Sequence, residues 1–88
     1  MKVDIDNLTR YLHRIRNEEG WLYLNDVANS LKLDRATSRK FTKLAEDWGL
    51  VTRQQVEQAP TQVQATEKLM KLEPGEVRDF IIANRSDF

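Results

Sequence analysis

Cysteine is absent from the 88 residues, so disulfides and thiolate metal sites are excluded. Histidine occurs once, at position 13, and has no second imidazole to share a metal with. The three glycines stand alone at 20, 49 and 75, which leaves no glycine-rich loop to cradle a phosphate. No apolar run approaches the roughly 18 residues that span a membrane, and Met1-Lys2-Val3-Asp4-Ile5-Asp6 has no signal-peptide character. A cytoplasmic location is expected. The adjacent carboxylates Glu18-Glu19 and Glu46-Asp47 fall at helix ends, where solvated surface is their ordinary role. No catalytic constellation remains, so neither an enzyme nor a cofactor or metal site is expected.

Net charge is missing too, with 14 basic groups against 14 acidic ones. A strongly basic balance, the usual mark of a nucleic-acid-binding domain, is therefore not met by the whole chain. The distribution is uneven. Residues 1–31 carry four basic and five acidic groups, residues 32–53 six and three, residues 54–72 two and two, and residues 73–88 two and four. A local positive patch can hold phosphates while the overall balance limits non-specific attraction.

That patch falls in residues 25–51, NDVANSLKLDRATSRKFTKLAEDWGLV. Asn25 is suited to cap a helix with Val27, Ala28 and Leu31 on one face, and Asp34 to cap the next. In that next helix Phe41, Leu44, Ala45 and Trp48 recur at three- and four-residue steps and share a stripe. At roughly 100° per residue, Arg35, Ala36, Arg39 and Lys43 lie opposite the stripe, with Lys40 and Thr42 on its flanks. Gly49 closes the helix and Leu50-Val51 opens an extended run.

The remainder frames this pair. A helix over residues 5–19, capped by Asp4 or Asp6, carries Ile5, Leu8, Leu12 and Ile15, with Tyr11 beside them. Residues 21–24, Trp21-Leu22-Tyr23-Leu24, read as a short strand. Residues 26–32 and 35–48 form the helix pair. Residues 50–70 read as a hairpin turning at Gln58-Ala59-Pro60-Thr61, with Val63, Ala65 and Leu69 at even spacing. Residues 66–68, Thr-Glu-Lys, leave open a helix beginning near Thr66 instead. A last helix over residues 74–84 starts at Pro74 and Glu76, with Val77, Phe80 and Ile81 on one face, Phe88 in line with them, and Ile82 pointing elsewhere. Trp21 and Trp48 are expected to pack rather than stack on bases.

The helix pair resembles the helix-turn-helix of winged-helix DNA-binding proteins, broadly the small MarR-like and ArsR-like regulators. Ala28, Leu31, Leu33, Thr37-Ser38-Arg39 and the Trp48-Gly49-Leu50-Val51 exit carry the resemblance. It implies one mainly helical domain with a small β-hairpin, in the order helix–strand–helix–helix–strand–strand–helix. It also implies a regulator or a plasmid, phage or virus accessory factor that reads double-stranded DNA, with the second helix of the pair in the major groove. Arg35, Arg39 and Lys43 are then the leading contacts, supported by Ser38, Lys40, Thr42 and Arg53. The wing is rich in glutamine, and Gln55, Gln58 and Gln62 are its weaker candidates. Regulators of this kind dimerise through terminal helices, so the resemblance makes residues 5–19, or Val77, Phe80, Ile81 and Ile82, a homodimer seam. Zero net charge and the glutamine-rich wing favour a different class, a winged helix that recruits a protein partner in a replication, transcription or sorting complex.

Overall fold

The computed structural model describes residues 4–85. Five helices and three strands follow one another as α1 (Ile5–Arg16), β1 (Leu22–Tyr23), α2 (Leu24–Leu31), α3 (Arg35–Asp47), β2 (Val51–Gln54), β3 (Gln62–Ala65), α4 (Glu67–Met70) and α5 (Pro74–Ala83). The architecture is mainly helical with one small antiparallel sheet in the order β1-β3-β2.

Local chemistry sets most of the boundaries. The Asp4 carboxylate accepts from the Asp6 and Asn7 amides and starts α1. That helix stops at Arg16, three residues before the spacing predicts. Leu24 already belongs to α2, so β1 is shorter than residues 21–24, and Asn25 lies inside the first turn instead of capping it. Lys32 closes α2 at φ 56°, the left-handed position that ordinarily favours glycine, and Leu33 then donates to the Ala28 carbonyl at 2.9 Å. This is the turn of the helix pair.

The hairpin is shorter than residues 50–70. Its second strand ends at Ala65, because Thr66 is engaged twice. Thr66 Oγ1 donates to the Gly49 carbonyl at 2.6 Å, and the same oxygen caps the single turn α4. Leu69 consequently enters the core from a helix rather than a strand.

The core is built from α1, α3, the inner face of the sheet and α5. Leu8, Tyr11, Leu12, Val63, Leu69, Val77 and Ile81 are fully buried. Tyr11 meets Phe41 edge to face at 5.7 Å, locking α1 to α3. Trp48 meets Phe80 in the same way at 5.7 Å, and Lys68 Nζ lies 5.1 Å from the Phe80 ring while donating to the Trp48 carbonyl at 2.8 Å. Trp48 thus packs, whereas Trp21 stays 38% exposed.

The terminal helices clasp each other within one chain. Arg16 Nε donates to the Leu72 carbonyl at 2.8 Å, His13 Nε2 donates to the Pro74 carbonyl at 2.9 Å, and Arg78 pairs with Asp6. These contacts narrow what α1 and α5 can offer a second copy. Val77 and Ile81 are spent in the chain's own core, Phe80 is half-buried against Trp48, and the apolar stripe of α1 is covered as well. Ile82 is the large apolar side chain that α5 leaves exposed, at 38%. Phe88 lies outside the described residues.

Candidate nucleic-acid interface

The solvent face of α3 begins at Asp34, whose carboxylate accepts from the Thr37 amide at 2.6 Å. Hydrogen bonding from Thr37, side chain first and backbone second, holds this carboxyl below its ordinary value. Phe41 and Ala45 anchor the opposite side in the core. With those two fixed inward, helical geometry sends two columns outward. Arg35, Arg39, Lys43, Glu46 and Asp47 border the hairpin side, Ala36 and Lys40 lie on the outer side, and Arg39 and Lys43 reach both.

Arg35, Arg39, Lys40 and Lys43 make no side-chain hydrogen bond or ion pair among the described residues. Most other described cations are engaged. Arg14 meets Glu18, Lys71 meets Glu67, Arg78 meets Asp6, Arg53 meets Glu46 at 3.5 Å, and Arg10, Arg16 and Lys68 are held by amide or carbonyl oxygens. Lys32 and Arg85 are the remaining exceptions. Among the described residues, four of the six unneutralised cations therefore cluster on one helix face.

Two clefts run between α3 and the hairpin. One, about 260 Å³, is lined by Asn25, Arg35, Ser38, Arg39, Gln55, Gln58 and Thr61 among others. The second continues along α3 past Arg39, Lys43, Glu46, Asp47 and Arg53. The basic groups occupy the N-terminal part of the helix and Glu46 and Asp47 its end. A polyanion is therefore attracted to the first turns of α3 and repelled from the last.

Several expected contacts prove to be structural. Thr42 is fully buried and Ser38 is 3% exposed, because both fall on the inward side of the helix between Phe41 and Ala45. Ser38 Oγ donates to the Arg35 carbonyl at 3.0 Å. Thr42 Oγ1 donates its one proton to the Ser38 carbonyl at 2.8 Å, so the Tyr11 hydroxyl, 2.5 Å away, must be the donor to Thr42. Burial pushes the Tyr11 phenol well above its ordinary value. The neutral phenol is thus favoured in the folded state. Its contribution to stability is complete below the ordinary phenol value of about 10 and declines as pH rises beyond it.

Thr42→Val keeps the shape but leaves the buried Tyr11 hydroxyl without an acceptor, and should cost about 1–3 kcal/mol. Tyr11→Phe/Thr42→Val removes both partners and should recover most of that loss. Chemical denaturation of the two variants checks this, and equal stability in both would contradict it.

Register explains the two remaining differences. Arg53 lies opposite Val63, on the face of the sheet that packs toward the helices, and this brings it to Glu46. Its charge is partly neutralised there. Gln62 pairs with Tyr23 and Gln54 on the other face, and its Oε1 accepts from Gln54 Nε2 at 2.7 Å. It is turned away from the clefts. Gln55 and Gln58 do line them, joined by Asn25 and Thr61, which the sequence marked only as a helix cap and a turn residue. Asn25 arrives there because the Leu24 amide donates to the Thr61 carbonyl at 2.9 Å and draws the start of α2 onto the hairpin. That contact bridges 37 positions of sequence and leaves no local signal.

No family model matches the chain, and no curated protein matches it. Solved structures do. The transcriptional regulator SlyA superposes with a TM-score of 0.67 at 27% identity, covering 91% of this chain and 57% of its own. MepR, a transcription regulator of the Staphylococcus aureus multidrug efflux pump MepA, gives 0.68 at 18% identity over 93% of this chain and 60% of its own. A MarR family regulator from Neisseria meningitidis gives 0.64 at 19% identity over 93% and 55%. The chain thus spans less than two thirds of the length of these regulators. Its fold is the winged helix of MarR-type transcription regulators.

Proposed function

We propose that this domain is the duplex-DNA-binding module of a transcription regulator, entering the major groove with the first turns of α3. The observation that carries the proposal is the set of four unpaired cations, Arg35, Arg39, Lys40 and Lys43, on the exposed face of the second helix of a helix-turn-helix. Arg39 stands centrally and has the forked donors that match a guanine edge, while Arg35, Lys40 and Lys43 flank it at phosphate positions. Gln55 and Gln58 extend the contact from the wing by hydrogen bonding alone, since the loop tip carries Glu57 and no cation. Similarity of fold to regulators supports a binding role over a catalytic one, exercised in the cytoplasm where the DNA is.

One chain is proposed to read one half-site, and a homodimer joined through its terminal helices to read two. Selection from a randomised duplex pool tests the function. Enrichment of a shared sequence is the expected result. A bound pool that stays random, or no binding at low salt, would overturn sequence-specific recognition and favour recruitment of a protein partner.

A further inference from the structure

The outer column of α3 contains a feature that phosphate binding leaves unused. Between the cations lies a shallow hollow of about 410 Å³ lined by Ala36, Thr37, Arg39, Lys40 and Lys43. Its surface is almost wholly carbon, contributed by a methyl-bearing residue at Ala36 and by its neighbours. Ala36 is exposed, one turn before Lys40 and two before Lys43. The charged ends of the neighbouring side chains find no protein partner, so they are free to reach outward and leave their methylene stems around the alanine.

Resting on the proposed groove-binding role, we propose that this hollow seats the C5 methyl of a thymine, which makes Ala36 a specificity-determining residue. The surroundings choose the occupant. Cations ring the hollow, so its partner should present an apolar group flanked by negative charge, and a thymine methyl between two phosphate backbones has that arrangement. The other base edges fit poorly. Cytosine carries only a hydrogen at the same ring carbon and leaves the hollow unfilled, while the purines turn an N7 acceptor toward the groove and offer no methyl. Guanine offers acceptors, which suit Arg39 on the neighbouring column. A half-site with thymine beside guanine follows from the two columns together.

The test compares duplexes of equal length built from alternating adenine and thymine or alternating adenine and uracil, titrated with wild type and with Ala36→Ser. Wild type should bind the uracil duplex about fourfold more weakly, the factor that withdrawal of one methyl-sized group gives. Ala36→Ser, with a hydroxyl facing the methyl, should bind both duplexes alike. A second pair, alternating guanine with cytosine or 5-methylcytosine, presents the same C5 methyl on another base. A gain similar to the thymine effect is expected, and no gain from that methyl would overturn the role of the hollow. Equal wild-type binding to the thymine and uracil duplexes would overturn the role of the hollow, as would discrimination that survives in Ala36→Ser. If wild type binds neither these duplexes nor mixed-sequence DNA, the groove-binding role itself fails. If binding persists and Arg39→Ala abolishes it while uracil has no effect, that role stands and only the thymine contact is lost.

Discussion

Arg39→Ala should weaken binding to a selected duplex by about 1–3 kcal/mol, a loss of roughly fivefold to 150-fold. The range follows from what the guanidinium replaces. Removal of one phosphate contact takes away a single released counterion and lowers the salt slope by about 0.9. Removal of a bidentate base contact also leaves guanine acceptors facing a dry gap, which is the larger effect. Arg39 is suited to the second role by position, since it stands between Arg35 and Lys43 and borders both clefts and the Ala36 hollow. It has no ion pair to surrender, so nothing offsets the loss. Arg39→Lys should recover the charge and the salt slope, yet restore little discrimination, because an ammonium lacks the planar fork. Arg53→Ala offers the contrast. That side chain already shares its charge with Glu46, and its removal should change affinity far less. Equal losses for the two arginines would contradict the placement of Arg39 at the base edges.

Phe41→Ala should have the largest effect on folding, about 3–5 kcal/mol. A domain of this length holds only about 4–13 kcal/mol in total, so the variant sits near the edge of unfolding. Phe41 is 2% exposed and belongs to the buried core cluster. It meets Tyr11 of α1 edge to face, it lies one residue before the buried Thr42, and it fixes which side of α3 turns outward. At about 4–8 °C per kcal/mol for a domain of this size, the melting temperature should fall by roughly 12 °C or more. Phe41→Leu fills most of the space and should lose much less. A thermal melt followed by circular dichroism checks both variants. A fall of only a few degrees in Phe41→Ala would mean that α3 is held by something other than its apolar stripe.

The solvent and core faces of α3 were readable from spacing alone, because Phe41, Ala45 and Trp48 leave only one side for Arg39 and Lys43. Spacing could not place the flanks as well. Thr42 lies at the boundary of the stripe, and what draws it inward is Tyr11, 31 residues earlier in the chain. Polar side chains at such positions look like surface until their partner is known.

The same limit governs α5. Its apolar face required a cover, and either a second copy or the chain's own α1 would satisfy that requirement. Within the chain α1 supplies much of that cover, and the contacts that fasten it are Arg16 to the Leu72 carbonyl and His13 to the Pro74 carbonyl, both tertiary and neither part of a motif. The end of β3 is a third case. Even spacing of Val63, Ala65 and Leu69 carried the strand too far, whereas Thr66-Glu67-Lys68 pointed to the helix that does begin there. Thr66 interrupts the strand by bonding to Gly49, 17 positions back. Gln62 was misplaced for a smaller reason. Alternation puts it on one face or the other, and only pairing with Gln54 and Tyr23 shows that the face is the one away from α3.

The central claim is that phosphates and base edges meet the first turns of α3. Titration of a fluorescent duplex at two salt concentrations, with wild type beside Arg39→Ala/Lys43→Ala, tests it most directly. The account predicts wild-type affinity that falls steeply as salt rises, and a double variant, still folded, that binds weakly with a shallower slope. Binding that ignores salt, or a double variant that binds as wild type does, would contradict it.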